Sequence, residues 1–290
     1  MSTVPVHMVT EAAAAAVDSP SSSVSHRMAS PPLPSPLPPL PLAGRVAIVT
    51  GASRGIGRGI VLHLSSLGAR LVLNYSTNSA LADQLAAEIN ASSPNSAVPV
   101  QADVSDPSAA KALFDAAEAS FGSPVHILVH NAAIVDPNYP SLAATPLADF
   151  DRVFAVNARG AFLCLREAAN RVARGGGGRI VALSSSLVGS LMPGYGAYTA
   201  SKAAVEAMVR TMAKELRGTG ITANCVAPGA VATDMLFAGK SEEAVRIEAE
   251  LPPFGRLGET RDIAPVVGFL CRDEAEWVNG QVIRANGGYV

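Results

Sequence analysis

The stretch Arg45-Val46-Ala47-Ile48-Val49-Thr50-Gly51-Ala52-Ser53-Arg54-Gly55-Ile56-Gly57 decides the fold of this chain. Its first half is a short apolar run that stops at Gly51, and after Gly57 the apolar residues recur with the spacing of a helix. The pattern therefore predicts a strand, a tight turn and a helix. Glycines in such a turn let the backbone approach a pyrophosphate and expose amide groups at the start of the helix.

The glycine turn predicts a dinucleotide phosphate site, although a plain tight turn would show the same residue types. Its spacing is G-x-x-x-G-x-G, and the G-K-[ST] ending of a nucleoside-triphosphatase loop is missing. The turn residues that we expect to bind the cofactor are Gly51, Ser53, Arg54, Gly55, Ile56 and Gly57.

The rest of the chain continues to alternate strands and helices. Further strands are predicted over 70–75, 98–102, 125–129, 179–183, 221–227 and 281–284. Further helices are predicted over 80–89, 107–121, 147–174, 203–216 and 262–271. This order predicts one α/β domain over 43–290, a single Rossmann-type, doubly wound parallel sheet with helices on both faces.

Residues 1–42 differ in composition from the rest. They are rich in Ser, Pro and Ala and cannot bury a core, so we expect a disordered leader. A Ser-rich, acid-poor leader is typical of transit peptides, but this one has Arg27 as its only Lys or Arg and carries Glu11 and Asp18. The leader is therefore either a chloroplast transit peptide or an untargeted arm of a cytoplasmic protein.

The composition also limits the partners. The net charge is -2 and no block of Lys or Arg stands out, so neither nucleic acid nor a membrane surface is indicated. No apolar run is long enough for a membrane span. The 3 cysteines lack C-x-x-C spacing and no H-E-x-x-H pair occurs, which predicts reduced core thiols and no metal. A small molecule is the expected partner.

Tyr198 and Lys202 lie four residues apart, at the start of the predicted helix 203–216, so their side chains share one helix face. An ammonium beside a phenol favours phenolate and lowers a phenol pKa that starts near ~10. Such a phenol can donate a proton to a nascent alkoxide. Ser184-Ser185-Ser186 follow the strand 179–183, at the edge where open α/β sheets bind ligands. Chance alone also produces a Tyr and a Lys at this spacing.

The end of the second strand indicates which dinucleotide binds. An acid there would bind the ribose 2'-hydroxyl and repel a 2'-phosphate, but no acid is present. Neutral donors follow instead, and Arg54 can add a charge unless it is a solvated loop residue. We therefore predict NADP(H), bound at this end by Asn74, Tyr75, Ser76, Thr77 and Asn78.

Further candidate residues follow the other strands. Asp103 could bind an adenine amine or cap the next helix. Asn157 is a poor helix former inside a predicted helix, which indicates a kink, a held water or a side chain in solvent. Residues 234–258 are a predicted lid whose apolar side chains, Met235, Leu236, Phe237, Leu251 and Phe254, could cover a pocket or an oligomer contact. The remaining expected cofactor residues are Asn131, Ala132, Pro228, Gly229, Val231 and Thr233.

Taken together and in order, these motifs resemble the short-chain dehydrogenase/reductase family over residues 43–290. They are Thr50-Gly51-x-x-x-Gly55-x-Gly57, Asn131-Ala132-Ala133, Asn157, Ser184 to Ser186, Tyr198-x-x-x-Lys202 and Pro228-Gly229-x-x-x-Thr233. The closing run 284–290 is similar to plant members of that family that reduce aldehydes with NADPH. The family commonly has Gly where this chain has Ala133, so the backbone packing there is expected to differ.

The resemblance implies a role for each matching residue. Tyr198 would be the general acid/base, and Lys202 would bind the nicotinamide ribose and lower the Tyr198 pKa. Asn157 would hold the water of a proton relay. The catalytic serine is Ser185 if it is counted thirteen residues before the tyrosine, and Ser186 if it is aligned on Gly189; the alignment favours Ser186. A homodimer or homotetramer is also implied.

The expected activity is NADPH-dependent reduction of an aldehyde or ketone by hydride transfer. A catalytically silent nucleotide sensor or scaffold would share the fold. The presence of Asn157, the serines, Tyr198 and Lys202 together weighs against it. A methyltransferase would give Tyr198 and Lys202 no role and would be expected to carry an acid after the second strand.

Overall fold

The computed structural model describes residues 39–290. The predicted leader therefore lies, as far as residue 38, outside the described residues. Leu42, which the sequence placed in the leader, is fully buried, and its backbone N–H donates to Leu67 O at 2.8 Å. The boundary after residue 42 is therefore wrong, because Leu42 already packs in the core.

Within residues 39–290, seven strands form one parallel sheet. They are β1 Val46–Val49, β2 Arg70–Tyr75, β3 Ala97–Gln101, β4 Ile127–His130, β5 Arg179–Leu183, β6 Thr222–Pro228 and β7 Val282–Ala285. Their order in the sheet is β3-β2-β1-β4-β5-β6-β7. The strand order reverses between β1 and β4, so the carboxyl ends of these two strands flank a crevice.

Helices cover both faces of the sheet. One buried cluster joins the sheet to α1, α2 and α10, and the other joins it to α3, α5 and α7. The predicted doubly wound α/β fold is thus confirmed. The helices are α1 Gly55–Ser66, α2 Ser79–Ser92, α3 Ala109–Phe121, α4 Leu147–Phe154, α5 Gly160–Arg171, α6 Leu187–Ser190, α7 Gly196–Glu215, α8 Asp234–Phe237, α9 Glu242–Glu250 and α10 Thr260–Leu270.

The central strands are buried on both faces, which explains why their sequences are continuous apolar runs. Every residue of β1, β4 and β5 is buried, and even Arg179, at the start of β5, is only 1% exposed. The three cysteines are buried and free, as the sequence predicted.

Two helices differ from their predicted bounds by more than a few residues. The predicted helix 147–174 is interrupted by a π-helical turn, Ala155–Arg159, between α4 and α5. The helix predicted to begin at residue 203 begins at Gly196. Tyr198 and Lys202 therefore lie within the first two turns of α7, which fixes their side chains on the same rigid element.

Candidate active site

The glycine turn after β1 is built around backbone contacts that leave no room for side chains. A Cβ added to Gly57 would lie 2.1 Å from Gly51 O and 2.6 Å from Asn131 Nδ2. Gly51 and Gly55 have φ of 61° and 55°, a region that favours glycine. The turn thus brings the first backbone amides of α1 to the carboxyl edge of the sheet.

The turn is joined to the end of β4 by side-chain hydrogen bonds. Thr50 Oγ1 accepts from the backbone N–H groups of Asn131 and Ala132 at 2.9 and 3.0 Å, and Asn131 Nδ2 donates to the carbonyl oxygens of Thr50 and Gly51. Asn131 was predicted to bind the cofactor, and here its amide holds the turn closed.

Buried His130 is the next partner of Thr50. Because Thr50 Oγ1 already accepts two bonds, its own proton points to His130 Nδ1, 3.3 Å away, and the ring hydrogen of His130 is on Nε2. Among the described residues this Nε2 has no partner. Burial and the Lys202 charge lower the His130 pKa to about 3, so the ring is neutral.

A cavity of about 660 Å³ lies over the turn. Its wall contains most of the predicted cofactor residues: Gly51, Ser53, Arg54, Gly55, Ile56, Asn74, Tyr75, Ser76, Asp103, Asn131, Ala132, Tyr198, Lys202, Pro228 and Thr233. Gly57 is packed beneath the turn, and Gly229 and Val231 line a neighbouring cavity instead. The glycine cradle and the polar wall fit a dinucleotide.

Two polar residues of this cavity differ from expectation. Asn74 is buried; its amide Nδ2 donates to Ala102 O at 2.9 Å and its Oδ1 accepts from Gly51 N, so it braces the turn from β2. Asp103 does not cap α3, which begins at Ala109; its Oδ1 accepts from the N–H and hydroxyl of Ser105. The capping alternative for Asp103 is therefore wrong.

Arg54 stands at the rim of the cavity. Its side chain is 70% exposed, and its Nη1 lies 3.6 Å from Asp234 at the start of α8. An exposed pair at this distance contributes little to stability. The guanidinium is therefore available to a ligand.

Tyr198 and Lys202 meet at the inner end of the cavity. Lys202 is 1% exposed, its Nζ donates to Leu183 O at 2.7 Å, and it lies 5.9 Å from the centre of the Tyr198 ring. Burial lowers the Lys202 pKa to about 8.

Burial of Tyr198 acts against the predicted lowering of its pKa by Lys202, which stays a prediction. Although Tyr198 is partly exposed to the cavities, its surroundings desolvate the phenol and raise its pKa to about 12. Desolvation opposes the charged phenolate, and only the Ser185 hydroxyl lowers the pKa in return.

The three serines after β5 have different partners. Ser184 Oγ donates to Glu206 at 2.6 Å, and Ser186 Oγ donates to Ala227 O at 3.1 Å and accepts from Asn286 Nδ2 at 2.9 Å. Ser185 lies between them and faces Tyr198. The geometry therefore does not support the preference for Ser186, because its proton is donated to Ala227 O. The Ser185 hydroxyl accepts from Leu187 N at 3.2 Å and lies beside the phenol with its own proton available.

Asn157 lies in the π-helical turn and is fully buried, so the alternative of a side chain in solvent is wrong. Its Oδ1 accepts from Ile134 N at 2.8 Å, and its Nδ2 donates to Ile134 O at 2.9 Å and to Ser201 Oγ at 3.1 Å. The side chain ties the segment after β4 to α7, one residue before Lys202.

A second cavity, of about 130 Å³, shares Tyr198 and Ile56 with the first. Of the five apolar residues named for the predicted lid, three line it, Met235, Leu236 and Leu251, whereas Phe237 and Phe254 do not. Sequence reasoning missed several other wall residues because nothing in a linear pattern joins them: Val135, Tyr139, Leu187, Met192, Tyr195, Lys240, Glu248 and Tyr289.

Two absences hold for the part of the chain that the structure describes. Residues 39–290 contain no cluster of His, Cys, Asp or Glu side chains that could hold a metal ion. No helix within the same range has the length and apolar character to cross a membrane.

A large cavity over a glycine turn, which meets a smaller, mainly apolar cavity at a phenol, defines a dinucleotide-dependent oxidoreductase of the Rossmann type. A family model described as "Enoyl-(Acyl carrier protein) reductase" matches residues 51–290. The chain belongs to the short-chain dehydrogenase/reductase family.

Relatives in sequence and structure agree with this family. The chain is 60% identical to an NADPH-dependent aldehyde reductase-like protein, chloroplastic, of Arabidopsis thaliana, covering 87% of this chain and 97% of the relative. It is also 60% identical to a short-chain type dehydrogenase/reductase of Picea abies, covering 86% and 93%. A short chain dehydrogenase from Burkholderia cenocepacia in complex with NADP has a TM-score of 0.79 at 34% identity, covering 86% and 99%.

Proposed function

We propose that this protein is an NADPH-dependent reductase that converts an aldehyde or ketone into an alcohol, with Tyr198 as its general acid. The observation that carries the proposal is that Tyr198 belongs to the walls of both cavities. A carbonyl group in the smaller cavity can therefore reach the phenol and the inner end of the cofactor cavity together.

Bound NADPH supplies a hydride to the carbonyl carbon. The phenol of Tyr198 donates its proton to the carbonyl oxygen, and its pKa of about 12 keeps that proton in place at neutral pH. Ser185, the serine that faces Tyr198, donates a hydrogen bond to the same oxygen and stabilises its developing charge. Ser186 instead positions the segment after β7 through Asn286.

Lys202 and Asn157 act behind the phenol. The buried ammonium has two N–H donors beyond the one used by Leu183 O, and these can bind the nicotinamide ribose and help return a proton to Tyr198. A relay water beside Asn157 is a proposal that rests on the family resemblance. The amide of Asn157 supports it by fixing the start of α7.

NADP(H) is the proposed cofactor on three grounds. The end of β2 carries no acid, Arg54 is exposed at the cavity rim, and a family member of known structure binds NADP. The relatives from Arabidopsis are named as NADPH-dependent, which favours the same choice.

The experiment is to mix the protein with NADPH and a panel of aldehydes, ketones and quinones and to follow cofactor absorbance. Tyr198→Phe should bind NADPH as the wild type does and lose turnover by ~10²-fold or more, the scale of a lost general acid. A silent nucleotide sensor would bind NADPH without turnover in either protein, and undiminished turnover by the Phe variant would disprove the role of Tyr198.

We also infer a chloroplast location, with the segment that precedes the folded domain as the transit peptide. Two Arabidopsis relatives are named chloroplastic, and the leader has the composition of a transit peptide. A fluorescent fusion of residues 1–42 should enter plastids, and a diffuse cytosolic signal would contradict the address. Deleting residues 1–38 should leave the melting temperature unchanged.

A homodimer or homotetramer is the proposed assembly. Phe162 on α5, Phe269 on α10 and Trp277 are 46%, 43% and 99% exposed, which is apolar surface that a second copy could cover. Light scattering on a gel-filtration column should give two or four times the mass of the chain, and a monomer would exclude both assemblies.

A further inference from the structure

The lid residues Lys240 and Glu248 form an ion pair in the wall of the substrate cavity. Lys240 follows α8 and Glu248 lies in α9, and their side chains are only 7% and 12% exposed. Both residues line the cavity of Tyr198, whose other lid residues, such as Met235 and Leu236, are apolar. A charged pair in so small and apolar a cavity requires an explanation, because removing charges from water is costly.

The pair has hydrogen-bonding capacity that the protein does not use. Lys240 Nζ donates to Glu248 Oε1 and lies 5.4 and 5.5 Å from the ring centres of Tyr139 and Tyr195. Glu248 Oε1 also accepts from the Tyr195 hydroxyl at 3.3 Å. Among the described residues, the other N–H donors of Lys240 and the Oε2 of Glu248 have no hydrogen-bond partner. Two N–H donors of Lys240 and one acceptor oxygen of Glu248 are thus available to a ligand.

Other contacts already hold the lid to the body of the protein. The Tyr139 hydroxyl donates to Ala238 O at 2.8 Å. Gly239 lies so close to Pro137 that an added Cβ would be 1.9 Å from its carbonyl oxygen. Apolar side chains could dock the lid at a lower desolvation cost than an ion pair. Docking alone does not account for Lys240 and Glu248.

We propose that Lys240 and Glu248 bind a hydroxyl group at the end of the substrate remote from its carbonyl; this inference rests on the proposed function. A hydroxyl can accept from Lys240 and donate to Glu248 at the same time. A carboxylate can only accept, and it would face the charge of Glu248. An apolar end would bury both charges further without giving them a partner.

The distances limit the size of this substrate. The ring centres of Tyr195 and Tyr198 are 6.5 Å apart, and Lys240 Nζ lies 5.5 Å from the Tyr195 ring. A molecule of one or two rings can therefore reach from Tyr198 to the ion pair. The substrate class is an aldehyde or ketone with a small apolar body and a distal hydroxyl group.

The test compares 4-(hydroxymethyl)benzaldehyde, whose hydroxyl stays protonated, with 4-ethylbenzaldehyde, in which a methyl group replaces that hydroxyl. For each aldehyde, kcat/KM is measured for the wild type and for the double variant Lys240→Met/Glu248→Leu, which replaces the pair by apolar side chains. The hydroxyl-to-methyl ratio of kcat/KM should fall about tenfold in the variant, the scale of a hydrogen bond to a charged group. Differences in the intrinsic reactivity of the two aldehydes cancel in this comparison.

The control replaces an ion pair on the outside of α9. Arg246 and Glu243 are 64% and 62% exposed, and Arg246→Met should leave the hydroxyl-to-methyl ratio unchanged. If Lys240 and Glu248 only dock the lid, the double variant loses both activities in equal proportion, and an unchanged ratio overturns the proposal.

A binding measurement separates this inference from the proposed function. Calorimetric titration of the NADPH complex with 4-hydroxybenzyl alcohol and 4-methylbenzyl alcohol needs no turnover. The wild type should bind the hydroxyl compound more tightly, and the double variant should lose that preference. Equal affinities in the wild type would overturn the inference even if the enzyme reduces both aldehydes.

Discussion

Lys202 Nζ donates a 2.7 Å hydrogen bond to the carbonyl oxygen of Leu183, the last residue of β5. This bond anchors an ammonium group that is almost without contact with solvent, and the carbonyl dipole is its only hydrogen-bond partner among the described residues. No carboxylate neutralises it, so the charged form is held at a cost in free energy.

Replacing Lys202 should change how stability depends on pH. The folded-state pKa is about 8 against an ordinary 10.5, so between these values the unfolded chain binds more protons than the native one. The Lys202 contribution therefore raises the free energy of unfolding by about 1.4 kcal/mol per pH unit across that window. Urea denaturation at pH 7.5 and 10 should show this rise in the wild type relative to Lys202→Met, to a total of roughly 2–3 kcal/mol.

The matched control for Lys202 is Lys214→Met, because Lys214 lies on the same helix and is exposed. The difference in free energy of unfolding between Lys214→Met and the wild type should be the same at both pH values. If the Lys202→Met difference were also flat, the ammonium would not be desolvated as its burial indicates.

Ser185→Ala and Ser186→Ala should separate two functions of neighbouring hydroxyls. Ser185→Ala removes the group that faces Tyr198, so kcat should fall by roughly 10²-fold, with little change in melting temperature. Ser186→Ala removes the acceptor for Asn286 Nδ2, and it should lower the free energy of unfolding by about 1 kcal/mol and reduce kcat much less. Steady-state kinetics and thermal melts of both variants test which serine is catalytic. A larger loss of kcat in Ser186→Ala than in Ser185→Ala would identify Ser186 as the catalytic serine.

Arg54→Ala should lower the preference for NADPH over NADH. A charge-assisted bond to a phosphate contributes about 1.5–3 kcal/mol, so the Kd for NADPH should rise roughly tenfold or more and that for NADH little. Arg58→Ala is the control, because Arg58 pairs with Glu88 on the outer side of α1 at 2.7 Å. Fluorescence titration of the wild type and both variants with both cofactors gives six Kd values, and equal losses for NADPH and NADH in Arg54→Ala would show that Arg54 does not bind the 2'-phosphate.

Leu42→Ala should destabilise the protein even though the sequence placed this residue in the leader. Its fully buried side chain packs in the cluster below α1, and truncating a buried leucine costs about 2–5 kcal/mol. Leu40→Ala should lower the free energy of unfolding by much less than Leu42→Ala, because Leu40 is 55% exposed. Similar urea midpoints for the two variants would place Leu42 outside the core.

The fold could be predicted from local patterns because buried parallel strands leave continuous apolar runs. The bounds of β2 and β5 agree with the predicted 70–75 and 179–183. The start of α7 could not be predicted in the same way. This helix begins at Gly196, but its first turns contain small and polar residues, which do not show the regular apolar spacing of a helix. Leu42 was missed because a single core residue after a Pro-rich segment has no periodicity.

The site could be predicted as a set of motifs but not as a network of contacts. Sequence spacing brought Tyr198 and Lys202 to one helix face, yet it could not show that burial is the largest influence on the pKa of each. It could not assign Ser185 over Ser186, because that choice depends on side-chain direction at the end of a strand. Lys240 and Tyr195 are far apart in the chain and meet only through the lid.

The hydrogen bonds between Thr50, Gly51 and Asn131 have a consequence for proteolysis. Arg54 is highly exposed beside this turn and offers trypsin a cleavage site, but a protease needs several residues of extended chain. The bonds from the residue after β4 hold the turn in a compact shape. Cleavage after Arg54 therefore requires local unfolding of the turn. The same bonds mean that the turn loses its conformational entropy when the chain folds, so binding a cofactor does not have to order it.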